Sequence, residues 1–243
     1  MAGATFSDKM NSDRILRRFA PFLALGVTTA LALIAYRGIP RIGFDSHYFL
    51  EYAKEFRHRF PRSLGSDWPY GYPLLGAAVS RLGLSVFASM LTVLAVGLFA
   101  IWKLLWPVID SALGRGGLTA GVIASLAAAS ILPIEFGGLR SEIPFAALYL
   151  ATVIALAEWP APHSIVAASL AAMLSFLIRY AGVLTLGVLI AWTIWRWSDL
   201  ARERRRGLAA AAVAGAVCVC ALLMLSNYLV LRGFQWVPEL RFL

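Results

Sequence analysis

Apolar residues come in long unbroken runs, separated by short polar stretches rich in Arg, Pro and Gly. A first run spans residues 19–36, and a second covers 85–106. Pro107, Asp110 and "GRGG" (114–117) predict a turn after it. Further runs cover 118–134, 143–158, 164–178, 181–197 and 208–231. "EFGGLRSE" (135–142), "WPAP" (159–162), "RY" (179–180) and "RERRR" (202–206) punctuate them. The runs approach or exceed the ~20 residues that cross a bilayer as a helix. They are continuous rather than alternating, which excludes a β-barrel. The predicted fold class is all-α: a polytopic membrane protein of about seven transmembrane helices.

Residues 37–71 break the pattern with a long polar segment. Within it, "GFDSHYFLEYAKEF" (43–56) has a helical period. Phe44, Tyr48, Tyr52 and Phe56 fall four apart, with Phe49, Ala53 and Phe60 beside them. His47, Glu51, Lys54, Glu55 and Arg57 cover the other side. This predicts an amphipathic helix lying on the membrane surface. "YPLLGAAVSRLGL" (72–84), interrupted by Arg81, predicts a second interfacial helix.

Composition agrees with a membrane class. The 243 residues are 60% hydrophobic and 14% charged, against about 25% charged in soluble domains. A net charge of +9 would suggest nucleic acid in a soluble chain. Here the basic residues lie between apolar runs, so topology explains them and no nucleic-acid partner is expected. Lys9, Arg14, Arg17, Arg18, Lys103, Arg115, Arg196 and the 202–206 cluster fall on one side of a seven-span alternation. Only Arg140 and Arg179 fall in short loops on the other. The positive-inside rule then puts the N-terminus in the cytoplasm of a multi-pass plasma (inner) membrane protein.

The expected organisation is a cytoplasmic tail (1–18), one transmembrane module (19–231) with 37–84 as its first outer loop, and an outer tail (232–243). The first run is longer than a signal-peptide core and has no small-residue cleavage site after it, so it reads as a retained anchor. Cys218 and Cys220 stand two apart on a helix, point to nearly opposite sides, and cannot bridge each other.

Candidate chemistry gathers on the outer side. Asp45 follows the first span, either as part of a helix cap or as a general base facing a membrane-level cavity. Glu135 and Glu142 flank Arg140, and Ser141–Glu142 also fits a plain helix start. Arg179 lies between two apolar runs, where it either snorkels to headgroups or holds a phosphate. His47, Tyr48, Trp68, Tyr70, Tyr72 and Tyr180 are candidates to line a cleft or to form an interfacial aromatic belt.

The order of these pieces resembles a known superfamily. "FDSHYFLEYAKEF" follows the first span, then "WPYGYPLLGAAVSRLGL", then the acidic "EFGGLRSEIPF", then "LIRYAGVLTL" and "SNYLVLRG". This arrangement over residues 14–235 resembles the N-terminal module of membrane-embedded GT-C glycosyltransferases. Within them it is most similar to the protein mannosyltransferase, aminoarabinose transferase and lipopolysaccharide core sugar transferase group. The resemblance implies transfer of a sugar from a polyprenyl-phosphate carrier to an acceptor on the outer membrane face. It implies Asp45 as general base, Glu135 or Glu142 as acceptor-orienting or metal-holding acids, and Arg179 with Arg140 at the donor phosphate. A divalent metal is left open.

The chain departs from the group where Ser46 follows Asp45, since many relatives carry a paired acid there. Relatives also continue past the seventh helix. A non-catalytic scaffold or a truncated partner subunit, completed by a second membrane chain, is therefore the alternative. A transporter is least favoured, because the charges are expected at helix ends rather than at mid-depth.

Overall fold

The computed structural model describes Leu23, Gly26, Val27, Ala30 and residues 44–59, 69–113, 139–157, 163–202 and 205–231. Among the described residues the chain is helical, with no strand. The four described positions of the first predicted helix are all helical. The predicted third helix, 118–134, lies outside the described residues.

Eight α-helices follow in the described segments. They are α1 (Phe44–Arg59), α2 (Gly71–Ser80), α3 (Val86–Leu113), α4 (Glu142–Ala157), α5 (Ser164–Ile178), α6 (Val183–Trp195), α7 (Trp197–Arg202) and α8 (Arg206–Leu231). A 3-10 turn, Tyr180–Gly182, joins α5 to α6. Two helices have the length and apolarity to cross a membrane, over Val86–Ile109 and Arg206–Leu225. The apolar helices α4, α5 and α6, of 16, 15 and 13 residues, fall short of ~20. Only 17% of the most apolar window of α8 is buried, against 39% for that of α3.

α1 forms as its period predicts, but its apolar face is turned and occupied. The buried positions are Ser46, Phe49, Ala53 and Phe56, while Tyr48 and Tyr52 flank them half-buried. This helix packs on α2 rather than lying alone on a surface. Phe49 meets the Tyr72 ring edge-on at 5.2 Å, and Phe56 meets Tyr70 at 6.5 Å. The predicted second interfacial helix stops at Ser80, four residues early. Arg81, Leu82 and Gly83 turn the chain, Gly83 with a φ of 97° that suits only a residue without Cβ.

α3 overruns its predicted end. The turn expected at Pro107 is absent, and the helix continues to Leu113. Proline there removes one backbone hydrogen bond and costs about 3 kcal/mol in a helix interior. The apolar stripe outweighs it: Trp102 and Trp106 are buried on one face, and Ile109 packs on the core beyond the proline. The predicted sixth helix, conversely, breaks at Arg196 into α6 and α7.

The core has two main clusters. One joins α1, α2, α3 and the start of α4 to the end of α5, through Phe49, Tyr72, Leu94, Leu98, Leu139, Ile143 and Ile178. The other joins Leu156 of α4, Ala168, Ala172 and Phe176 of α5, Leu186 and Leu189 of α6, and Ala216 and Cys220 of α8. Small residues on α5, Ala168 and Ala172 among them, let its neighbours approach closely.

Candidate functional site

The sequence places Glu142 and Arg179 37 residues apart; the fold joins them. α4 and α5 pack antiparallel, so the start of one meets the end of the other. Arg179 Nη1 donates to Glu142 Oε1 in a direct ion pair. Arg179 is the better covered partner, with its side chain 22% exposed against 45% for Glu142.

Local backbone physics delivers Arg179. α5 ends at Ile178, and Arg179 itself is extended, at φ −146° and ψ 140°. Its N–H still caps the Ser175 carbonyl at 2.9 Å, and its carbonyl accepts from the Gly182 N–H at 2.8 Å. The chain thus folds back across the last turn of α5. A Cβ at Gly182 would lie 2.3 Å from Phe176 N and 2.4 Å from its Cα, so the turn exists only with glycine. On another side, a Cβ at Gly71 would lie 2.5 Å from the Leu177 carbonyl oxygen. Two glycines far apart in the sequence therefore pack against the last turn of α5, which precedes Arg179.

Gly71 carries Tyr72 into the same place. Tyr72 is completely buried, packed with Leu139, Ile143 and Ile178, which neighbour Glu142 and Arg179 in sequence. Among the described residues its hydroxyl has no hydrogen-bond partner. Burial first, and the Glu142 charge second, push this hydroxyl well above the ordinary tyrosine range. It is therefore a protonated donor at any working pH, with nothing to donate to.

The approach to Glu142 is held under strain. Leu139 is buried and takes a positive φ of 44°, a conformation that costs a side-chain-bearing residue about 1–2 kcal/mol. Arg140 is exposed and Ser141 is buried before α4 starts at Glu142, where the sequence predicts a helix start.

The depth of the pair differs from expectation. A Cβ on Gly97 would touch Ile143 and Pro144 at 3.2 Å, so the first turn of α4 abuts α3 at that residue. Gly97 lies eleven residues into α3, about 16 Å from its start. The pair sits at helix ends, as the sequence suggests, but the α4 end meets the middle of the long apolar helix.

The other expected residues divide. Asp45 occupies the first turn of α1, one helical turn before Phe49, and its side chain is outside the described residues. Glu135 and Trp68 are outside them too. Tyr48 is half-buried against Tyr52, with ring centroids 6.4 Å apart. His47 is exposed beside Tyr48 and contributes to the field at Glu51, away from the pair. Tyr70 packs with Phe56, Ala77 and Leu223 rather than with Tyr72. Tyr180 is half-buried over Phe176 at 5.7 Å. Among the described residues no three His, Cys, Asp or Glu side chains group as metal ligands would. Gly71, Gly182 and Leu139 were not singled out by sequence. Only the "YGY" and "RYAG" spellings, small residues beside aromatic and charged ones, hint at them.

Comparison with protein-family models, with curated proteins and with solved structures finds no match.

Proposed function

We propose that the chain is a membrane-embedded glycosyltransferase of GT-C type. It would move a sugar from a polyprenyl-phosphate carrier to an acceptor hydroxyl on the outer face of the plasma (inner) membrane. The observation that carries this reading is the part-buried Glu142–Arg179 pair near the Tyr72 hydroxyl, which has no hydrogen-bond partner among the described residues. A part-buried guanidinium at the end of an apolar helix suits a lipid-borne phosphate, whose tail stays in hydrocarbon while its charge reaches the arginine.

In the proposed reaction the acceptor O–H gives its proton to the Asp45 carboxylate as its oxygen attacks the anomeric carbon. The bond from that carbon to the phosphate oxygen breaks, and the electron pair leaves with the phosphate. Arg179 stabilises the charge that builds there. In this proposal Arg140, exposed before α4, would meet the polar part of the donor.

The membrane setting and orientation belong to the same proposal, with the N-terminus cytoplasmic and several crossings. The α6–α7–α8 junction supports it. Trp195 and Trp197 are 74% and 40% exposed. Arg196 stacks on Trp195 at 5.4 Å, and Arg206 on Trp197 at 5.1 Å. Exposed indoles paired with guanidiniums suit a headgroup layer.

A second reading, a carrier for a lipid-linked anion, is favoured by one observation: the α4 end that carries Glu142 meets the middle of α3 rather than its end. The test is purified protein in lipid nanodiscs with a panel of polyprenyl-phosphate sugars. Sugar transfer or release is expected, falling at least about a hundredfold in Asp45→Asn and Arg179→Gln. No turnover with any donor, together with movement of the lipid across proteoliposomes, would replace the transferase by the carrier.

A further inference from the structure

Three facts about the surroundings of Arg179 bear on how it takes a ligand. Arg179 is engaged by a carboxylate. That carboxylate, Glu142, is nearly half exposed and so has room to swing. Tyr72, packed in one cluster with Leu139, Ile143 and Ile178, is fully buried and lacks an acceptor for its hydroxyl among the described residues. A buried hydroxyl left unsatisfied costs roughly 1–3 kcal/mol, so an acceptor that reaches it in another state is stabilised there.

We propose that Glu142 is an internal stand-in for a phosphate: the phosphate anion displaces it from Arg179, and the Tyr72 hydroxyl captures the released carboxylate. This rests on the reading of Arg179 as a phosphate contact. Before binding, Arg179 is neutralised by Glu142 and the Tyr72 hydroxyl is idle. After binding, Arg179 is neutralised by phosphate, and Glu142 accepts the Tyr72 O–H. One ion pair of Arg179 is exchanged for another and one charge-assisted hydrogen bond is gained. Charge repulsion between carboxylate and phosphate drives the swing, and the hydrophobic packing of Phe49 on Tyr72 holds the receiving group still. Tyr72 is in this scheme a positioning residue, acting through Glu142.

The exchange makes a prediction of unusual sign. Neutralising an acid in a binding site by Glu142→Gln should strengthen phosphate binding, because it removes the resident competitor. The probes are undecaprenyl phosphate, undecaprenol and inorganic phosphate. Each is titrated into the full chain in phosphatidylcholine nanodiscs and read by native mass spectrometry. Undecaprenyl phosphate is expected to bind Glu142→Gln about tenfold more tightly than the unaltered protein, and Arg179→Gln at least about tenfold more weakly. Undecaprenol should show neither change. Inorganic phosphate should follow the same order only if the site reads the headgroup without its tail.

Tyr72→Phe should weaken undecaprenyl phosphate binding severalfold in the unaltered background and leave it unchanged in a Glu142→Ala background. Loss of an unsatisfied hydroxyl leaves packing intact, so this variant is expected to fold. Equal or weaker binding in Glu142→Gln overturns the stand-in. A Tyr72→Phe effect that persists without Glu142 overturns the capture and makes Tyr72 a direct phosphate contact. Failure of sugar transfer with this binding pattern intact removes the transferase and leaves the exchange; transfer with the pattern absent does the reverse.

Discussion

Glycine at 71 and 182 leaves the last turn of α5 in contact with main chain on two sides, and main chain has no rotamers with which to yield. Gly71→Ala and Gly182→Ala should each cost about 1–3 kcal/mol in stability, the range for forced overpacking. Both should loosen the Glu142–Arg179 pair. Thermal unfolding in nanodiscs, read beside phosphate binding, checks this; unchanged values for both variants would mean the turn relaxes without consequence. Tyr72 makes a separate prediction about alkali. Its hydroxyl titrates higher in the fold than in the unfolded chain. The unfolded chain therefore loses a proton first, at about pH 10, and the fold is disfavoured from there upward. Stability should fall with rising pH above about 10 by up to about 1.4 kcal/mol per pH unit from this group, and Tyr72→Phe should flatten that part of the slope. A denaturant series across alkaline pH measures it.

At the level of elements, local signals were read well where one force dominated. The limits of α5 match the sequence reading, since "WPAP" and "RY" bracket an uninterrupted apolar run. α4 begins at Glu142, one residue before the predicted run, where serine and an acid mark a helix start. α3 was misjudged at Pro107 because the proline is local and visible, whereas the stripe of Trp102, Trp106 and Ile109 acts only once a neighbour covers it. The apolar face of α1 was placed off-centre for the same reason. Tyr48 and Tyr52 are amphipathic, and packing against α2 selected Phe49, Ala53 and Phe56 for burial. In the site, Glu142 and Arg179 were legible as charges out of place. Their pairing was not, because it depends on the antiparallel α4–α5 contact. Tyr72 read as one of several interfacial aromatics until its burial set it apart from Tyr70, two residues earlier.

For the molecule as a whole, the strongly apolar helices among the described residues, α3 to α6 and α8, fall into two length groups. α3 and α8, of 28 and 26 residues, would extend about 42 and 39 Å. α4, α5 and α6 would extend only about 24, 22 and 20 Å, against a hydrocarbon thickness of about 30 Å. Set in a bilayer, the long pair can tilt, but the short trio cannot stretch. The lipid beside the trio must thin instead, at a modest cost for each ångström of mismatch. The dimple so formed would lie over the helix ends that carry Glu142 and Arg179. A phosphate floating at the headgroup level would have a shorter descent there than anywhere else on the perimeter. Acyl-chain length would then act as a control on substrate entry. Undecaprenyl phosphate should bind more tightly in dimyristoyl than in dierucoyl phosphatidylcholine nanodiscs, and equal affinity in the two would show that the short helices leave the surrounding lipid undeformed. Membrane thickness, a property of the host rather than of the chain, becomes part of how this site is reached.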